Sequence, residues 1–152
     1  MLAREDVYQS RFDFFDSSQG GGTSLLMGSL QSGRGAQGVC ADVPYLTDYR
    51  LMYDQGVRGT YATPIDVMST TEGTEEEWRA LGFVDTICHA HRLTMPVLLT
   101  AGSEDEVTPP VSVESLFDQL PGTRSYTLLA GQDHTYTMPF IHLASAWFKL
   151  YV

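Results

Sequence analysis

Lysine is almost missing from this chain: Lys149 is the only one, beside eight arginines and 19 acidic residues, for a net charge of −10. So little positive charge argues against nucleic acid or an anionic membrane as a partner, since both are held through basic patches. Cysteine is scarce as well. Cys40 and Cys88 make no disulfide framework in 152 residues, and the apolar residues around each predict a buried thiol. No apolar run approaches the ~20 residues of a membrane span. The first residues carry no basic stretch leading into a hydrophobic core, so a soluble, cytoplasmic protein is the expectation. Repeats and low-complexity segments are absent. Metal ligands are few: His89 and His91, two positions apart, do not face each other on a helix, and no third ligand is apparent, so no metal is expected. What the chain does have is a globular balance, 43% hydrophobic and 18% charged, over a length that suits one domain.

The most informative stretch is Arg11-Phe-Asp-Phe-Phe-Asp-Ser-Ser-Gln-Gly-Gly-Gly22. Phe12, Phe14 and Phe15 predict a strand. Asp16-Ser17-Ser18-Gln19 stops it, three glycines follow, and Leu25, Leu26, Met27 and Leu30 continue with helical spacing. Strand, tight turn and Gly-rich helix entry is the form of a nucleophile elbow, in which a serine sits at the tip of a strained turn. Such a turn aims the helix N-terminus and the next N–H at an oxyanion. Glycines suit the helix start because it must pass close to neighbouring chain. Two plainer readings stand beside this one: Ser18 as a helix N-cap, or a phosphate-cradling loop.

The remaining pattern alternates strands with helices. Residues 1–10 look like the end of a helix. Gln31–Gly38 reads as a loop and Val39-Cys40-Ala41 as a short buried strand ending at Asp42. The stretch from Gly56 to Gly73 is irregular. Thr74 and Glu77 form a capping box, so a helix begins near Glu75 and carries Trp78 and Leu81 inward; after Gly82, Phe83–His91 resumes as helix. Met95–Ala101 is continuous and apolar, as in a strand buried on both faces. Pro109 and Pro110 open a helix running to Leu120, Ser125–Leu129 makes a further strand, and Pro139–Tyr151 a closing amphipathic helix. The fold class is therefore α/β, a parallel sheet of about four strands with helices on both faces.

In such sheets function collects at the carboxyl ends of the strands. Ser18, Asp105 and His134 each follow a predicted strand, in the chain order Ser, Asp, His. A serine hydroxyl needs a base to take its proton as it attacks. A histidine suits that task near neutral pH, and a carboxylate fixes its tautomer and stabilises the imidazolium. Glu104 and Glu106 are rival carboxylates. Asp105 as a turn residue, and His134 as an ordinary loop histidine, are the bland alternatives. His142, within the last helix, reads as structural. Tyr45 and Tyr49 are either pocket walls near the elbow or core aromatics.

Ser17-Ser18-Gln19-Gly20-Gly21-Gly22, Ala41-Asp42-Val43-Pro44-Tyr45-Leu46 and Asp105-Glu106-Val107-Thr108-Pro109-Pro110 together resemble the acetyl xylan esterase/cephalosporin-C deacetylase family. That family shows a Gly-Gly-Ser-Gln-Gly-Gly elbow, an Asp-Val-Pro-Phe-Leu stretch and an Asp-x-Val-Cys-Pro-Pro acid loop. The resemblance implies Ser18 as nucleophile, Asp105 as acid, His134 as base and the Gln19 N–H as one oxyanion donor. It implies removal of acetyl groups from xylo-oligosaccharides or similar small esters, with no metal or organic cofactor, often by ring-shaped oligomers. Residues 1–152 match only the C-terminal portion of that α/β-hydrolase domain. The expectation is accordingly a truncated esterase, short of a second oxyanion donor and self-associating through an exposed first strand. Losing one donor costs about two to three powers of ten in rate. Asp16 stands where the family has Gly, expected to strain the turn and oppose oxyanion charge; Thr135 stands where a Glu usually follows the histidine. The alternatives are a catalytically silent half-domain, or another acyl hydrolase such as a peptidase or thioesterase.

Overall fold

A computed structural model describes residues 10–57, 61, 64, 66, 70 and 73–152. The helix expected over residues 1–10 and much of the irregular 56–73 stretch lie outside the described residues. The sheet is parallel and four-stranded: β1 (Phe12–Ser17), β2 (Ala36–Asp42), β3 (Val97–Gly102) and β4 (Arg124–Leu129), in that spatial order. A monotonic order with right-handed crossovers places every connecting helix on one face. That face carries α1 (Ser18–Leu30) and α5 (Pro110–Gln119), while the closing helix α6 (Met138–Tyr151) covers the other.

The alternation of side chains along a strand divides the core accordingly. Val39, Ala41, Val97, Leu99 and Ala101 meet Leu25, Val113 and Leu116 on the crossover face. Cys40 and Leu98 point the opposite way, onto Phe140 and Ala144 of α6. β2 and β3 lie in the middle, and every residue of β3 is buried. Burial also pushes the Cys40 thiol up to about 12, so it packs as an inert apolar group. Cys88 departs from expectation. It is exposed, because it sits on the single-turn helix α4 (Thr86–His89) while its neighbour Ile87 packs against the core.

Between β2 and β3 lie α2 (Tyr49–Asp54) and α3 (Glu75–Leu81). The capping box at Thr74 and Glu77 is formed, and Trp78 reaches inward only partly, edge-on to Tyr53. The segment read as one helix over Phe83–His91 is broken. After α3 the chain turns with Phe83 75% exposed, then restarts as α4, capped by Asp85, and ends in a 3₁₀ turn at Ala90–Arg92. Asp85 does more than cap: its carboxylate also accepts the N–H groups of Asp48 and Tyr49 and so pins the loop that enters α2. β2 begins at Ala36, earlier than its apolar run suggests, because Ala36 pairs with Phe12.

Candidate active site

β1 delivers the chain to the elbow. Ser17 is the last residue of β1 and the N-cap of α1, and Ser18 takes φ +54°. A non-glycine residue in the left-handed region is costly and persists only where its surroundings enforce it. Here the enforcement is visible. The Ser18 carbonyl accepts from the Tyr45 N–H at 2.9 Å. The glycines bring α1 so close to the loop after β2 that a Cβ on Gly22 would lie 1.9 Å from the Tyr45 carbonyl oxygen, and one on Gly21 3.0 Å from that of Asp42. The N-cap reading of Ser18 therefore fails. Ser17 occupies that position, and its side chain makes no cap bond. Its hydroxyl donates instead to Asp42 Oδ2, at 3.3 Å.

The freed Ser18 hydroxyl points at the imidazole: Ser18 Oγ lies 2.7 Å from His134 Nε2. On the far side of the ring, His134 Nδ1 lies 2.9 Å from Asp105 Oδ2. The two partners are held differently, His134 being partly open and the Asp105 side chain fully buried. Asp105 Oδ1 accepts the N–H groups of Val107 and Thr108, each at 2.8 Å, which fixes the carboxylate before the imidazole arrives. Three residues separated by 116 positions of chain meet because β1, β3 and β4 end at the same rim. Of the three carboxylates on that loop it is Asp105, and neither Glu104 nor Glu106, that bonds to the ring. The first N–H groups of α1, Gln19 among them, have no acceptor within the helix.

Asp16 keeps a strand conformation as part of β1, so it does not strain the turn as expected; the strain falls on Ser18. Its carboxylate accepts the Ser17 N–H at 2.8 Å and lies against Gly20, in the first turn of α1. A negative charge there stabilises the helix and opposes an oxyanion. An open depression of about 360 Å³ lies beside it, lined by Phe14, Asp16, Gln19 and Met27 among others.

Tyr49 is not a pocket wall. It is 3% exposed and packs edge-on against Tyr45 and Tyr61 in an aromatic cluster with Met52. Tyr45 is only partly buried, and its ring joins the same cluster. His142 is exposed on α6. His89 bonds to the carbonyls of Gly82 and Phe83. Among the described residues no group of side chains could hold a metal ion, and no helix is long and apolar enough to cross a membrane.

Two polar residues at the site escaped the sequence reading. Asp42, at the end of β2, is wholly buried, and its carboxylate accepts from Thr100 Oγ1 at 2.5 Å and from Ser17. Burial raises its carboxyl above the usual range, against the pull of those hydroxyls and of His134. Thr108 lies between Asp105 and His134. The one signal for Asp42 was a carboxylate closing a run of apolar strand residues; for Thr108 there was none beyond its nearness to Asp105.

The family model for acetyl xylan esterase matches residues 2–151. Among solved structures, acetyl xylan esterase 1 from Thermoanaerobacterium sp. JW/SL YS485 is similar with a TM-score of 0.84 at 25% identity, over 99% of this chain and 49% of that one. The acetyl xylan esterase from Paenibacillus sp. R4 gives 0.83 at 24% identity, over 99% and 48%. A monoacylglycerol lipase from Paleococcus ferrophilus, at 18% identity and a TM-score of 0.61, shares the α/β-hydrolase fold over 93% of this chain and 68% of that one. The chain thus spans about half the length of the two esterases it matches.

Proposed function

Because the chain belongs to the acetyl xylan esterase family, we propose that it is a serine carboxyl-ester hydrolase acting on acetylated xylo-oligosaccharides or similar small esters. The observation that carries this reading is the Ser18 hydroxyl, held at φ +54° with its oxygen 2.7 Å from His134 Nε2. In the proposed reaction Ser18 Oγ attacks the acetyl carbonyl while His134 Nε2 takes its proton. Asp105 holds the Nδ1 proton in place and stabilises the imidazolium. The carbonyl oxygen, now negative, is received by the Gln19 N–H at the start of α1. The tetrahedral intermediate collapses, the C–O bond to the sugar breaks, and His134 protonates the departing alkoxide. Water, deprotonated by the same imidazole, then releases acetate from Ser18.

Labelling by a fluorophosphonate reagent tests this: the folded chain should react, and Ser18→Ala should not. Initial rates on short acetyl esters should exceed those on anilides and thioesters, which separates an esterase from a peptidase or thioesterase. One observation favours a second reading, a silent half-domain: the Asp16 carboxylate against Gly20 opposes charge at the only oxyanion donor assigned. A folded sample that resists the reagent would support that reading and overturn the first.

A further inference from the structure

The Asp105 carboxylate has every lone pair engaged. Oδ1 accepts two backbone N–H groups. Oδ2 faces His134 Nδ1 at 2.9 Å and also the Thr108 hydroxyl at 2.8 Å. Thr108 is wholly buried, so water cannot substitute for any of its partners. Its oxygen lies 3.2 Å from His134 Nδ1 and 3.2 Å from the Val43 carbonyl.

A hydroxyl has one proton to give, and the candidates are unequal. Nδ1 must carry its own hydrogen if Nε2 is to accept from Ser18, so it is no acceptor. The carboxylate is charged and nearer than the Val43 carbonyl, and hydrogen bonds to charged acceptors are about twice as strong. The Thr108 proton therefore goes to Asp105 Oδ2. A lone pair on the same oxygen is left facing the Nδ1 hydrogen, which is shared between the two residues. A ring flipped end for end, or the other tautomer, would lose this arrangement.

We propose that Thr108 is a positioning residue of the site, its buried hydroxyl wedged between acid and base so that it fixes the imidazole tautomer and weakens the pull of Asp105 on the ring. The catalytic consequence rests on the hydrolase reading above; the effect on His134 does not. Two influences on the imidazolium oppose each other. The hydroxyl proton draws charge from Oδ2 and disfavours it, while the hydroxyl lone pair at 3.2 Å favours it. The first is the shorter bond and involves the full charge, so it prevails. Removing the hydroxyl makes His134 more basic. Asp42, at the end of β2, also acts on the ring, and Asp133, beside His134 in the chain, bonds to the Thr135 hydroxyl; such a substitution alters neither.

The experiment is an NMR titration of the His134 ring in the full chain, for wild type, Thr108→Val and Thr108→Ser, with the resonance assigned by His134→Gln. Thr108→Val should raise the midpoint, and Thr108→Ser should leave it in place. The acid limb of kcat/KM should move with it in Val and be restored in Ser. If Val does not fold, Thr108→Cys, whose thiol is a weak donor, should shift the midpoint in the same direction. Midpoints that coincide in wild type, Ser and Val (or Cys) overturn the proposal even if Ser18 is labelled normally. A shifted midpoint with an unreactive Ser18 upholds it and sinks the hydrolase instead.

Discussion

Replacing Gly22 by alanine tests how the elbow is held. The new Cβ would fall 1.9 Å from the Tyr45 carbonyl oxygen and 3.2 Å from Leu46 Cβ. An ordinary carbon–oxygen contact begins near 3.3 Å, so helix and loop must separate by about 1.4 Å. Neither side yields easily. α1 is pressed onto β2 at Gly28, where a Cβ would stand 2.6 Å from Val39. The loop is already strained, with Val43, Leu46 and Asp48 all at positive φ, and it is tied down by the Leu46 carbonyl to the Thr86 N–H and by Asp85 to the N–H groups of Asp48 and Tyr49. Overpacking a rigid site costs about 1–3 kcal/mol, and this contact belongs at the upper end. With a urea m-value of about 2 kcal/mol per M, the unfolding midpoint should drop by about 1 to 1.5 M. The same displacement pulls the Tyr45 N–H from the Ser18 carbonyl, so reaction with the serine reagent should slow more than tenfold under native conditions. Gly33→Ala is the control: nothing stands within 4 Å, and only its φ of +71° is penalised, at about 1 kcal/mol. A Gly22→Ala midpoint no lower than that of Gly33→Ala would refute the reasoning.

Further predictions follow from the buried and bordering carboxylates. Asp16→Asn removes a charge lying against the first turn of α1, and acylation by a nitrophenyl acetate should quicken about two- to tenfold while stability falls by a few tenths of a kcal/mol. Asp42→Asn keeps an acceptor for Thr100 and can donate to Ser17; stability at pH 7 should hold or rise, and kcat should fall roughly three- to tenfold as the imidazolium loses a neighbouring charge. Asp85 is pushed up to about 6 by burial, which outweighs three backbone N–H donors. Between about pH 4 and 6 the folded chain then binds a proton that the unfolded chain, with a carboxyl near 3.9, does not. Stability should decline as pH rises through that window, by on the order of 2–3 kcal/mol, and urea titrations of Asp85→Asn should lack that decline.

What the sequence made legible were features carried by neighbouring residues. The unbroken apolar run of β3 and the Thr74–Glu77 box each follow from local pattern, and the order Ser18, Asp105, His134 follows from where strands end; β1 itself runs two residues past the expected stop, because Asp16 and Ser17 still pair with Ala41 and Asp42. What escaped it depends on contacts made across the chain. Asp42 meets Thr100 58 positions away, and Thr108 meets Val43 65 positions away; neither pairing leaves a local trace. An aromatic run such as Tyr45 to Tyr53 reads the same whether it lines a pocket or fills a core, and only the arrival of the buried Tyr61 ring assigns Tyr49 to the core. The break between Phe83 and Asp85 was hidden because helical spacing continues on either side of it.

His134 hangs between β4, the outermost strand on its side and nowhere fully buried, and α6, which is fastened mainly through Phe140 and Ala144. Its two companions are rooted in the opposite edge and the centre of the sheet. Loosening of that last fifth of the chain would carry the base away while most of the sheet endured. As denaturant is added, ester cleavage should vanish at a lower concentration than the circular dichroism signal, making catalysis a gauge of how firmly one helix stays docked.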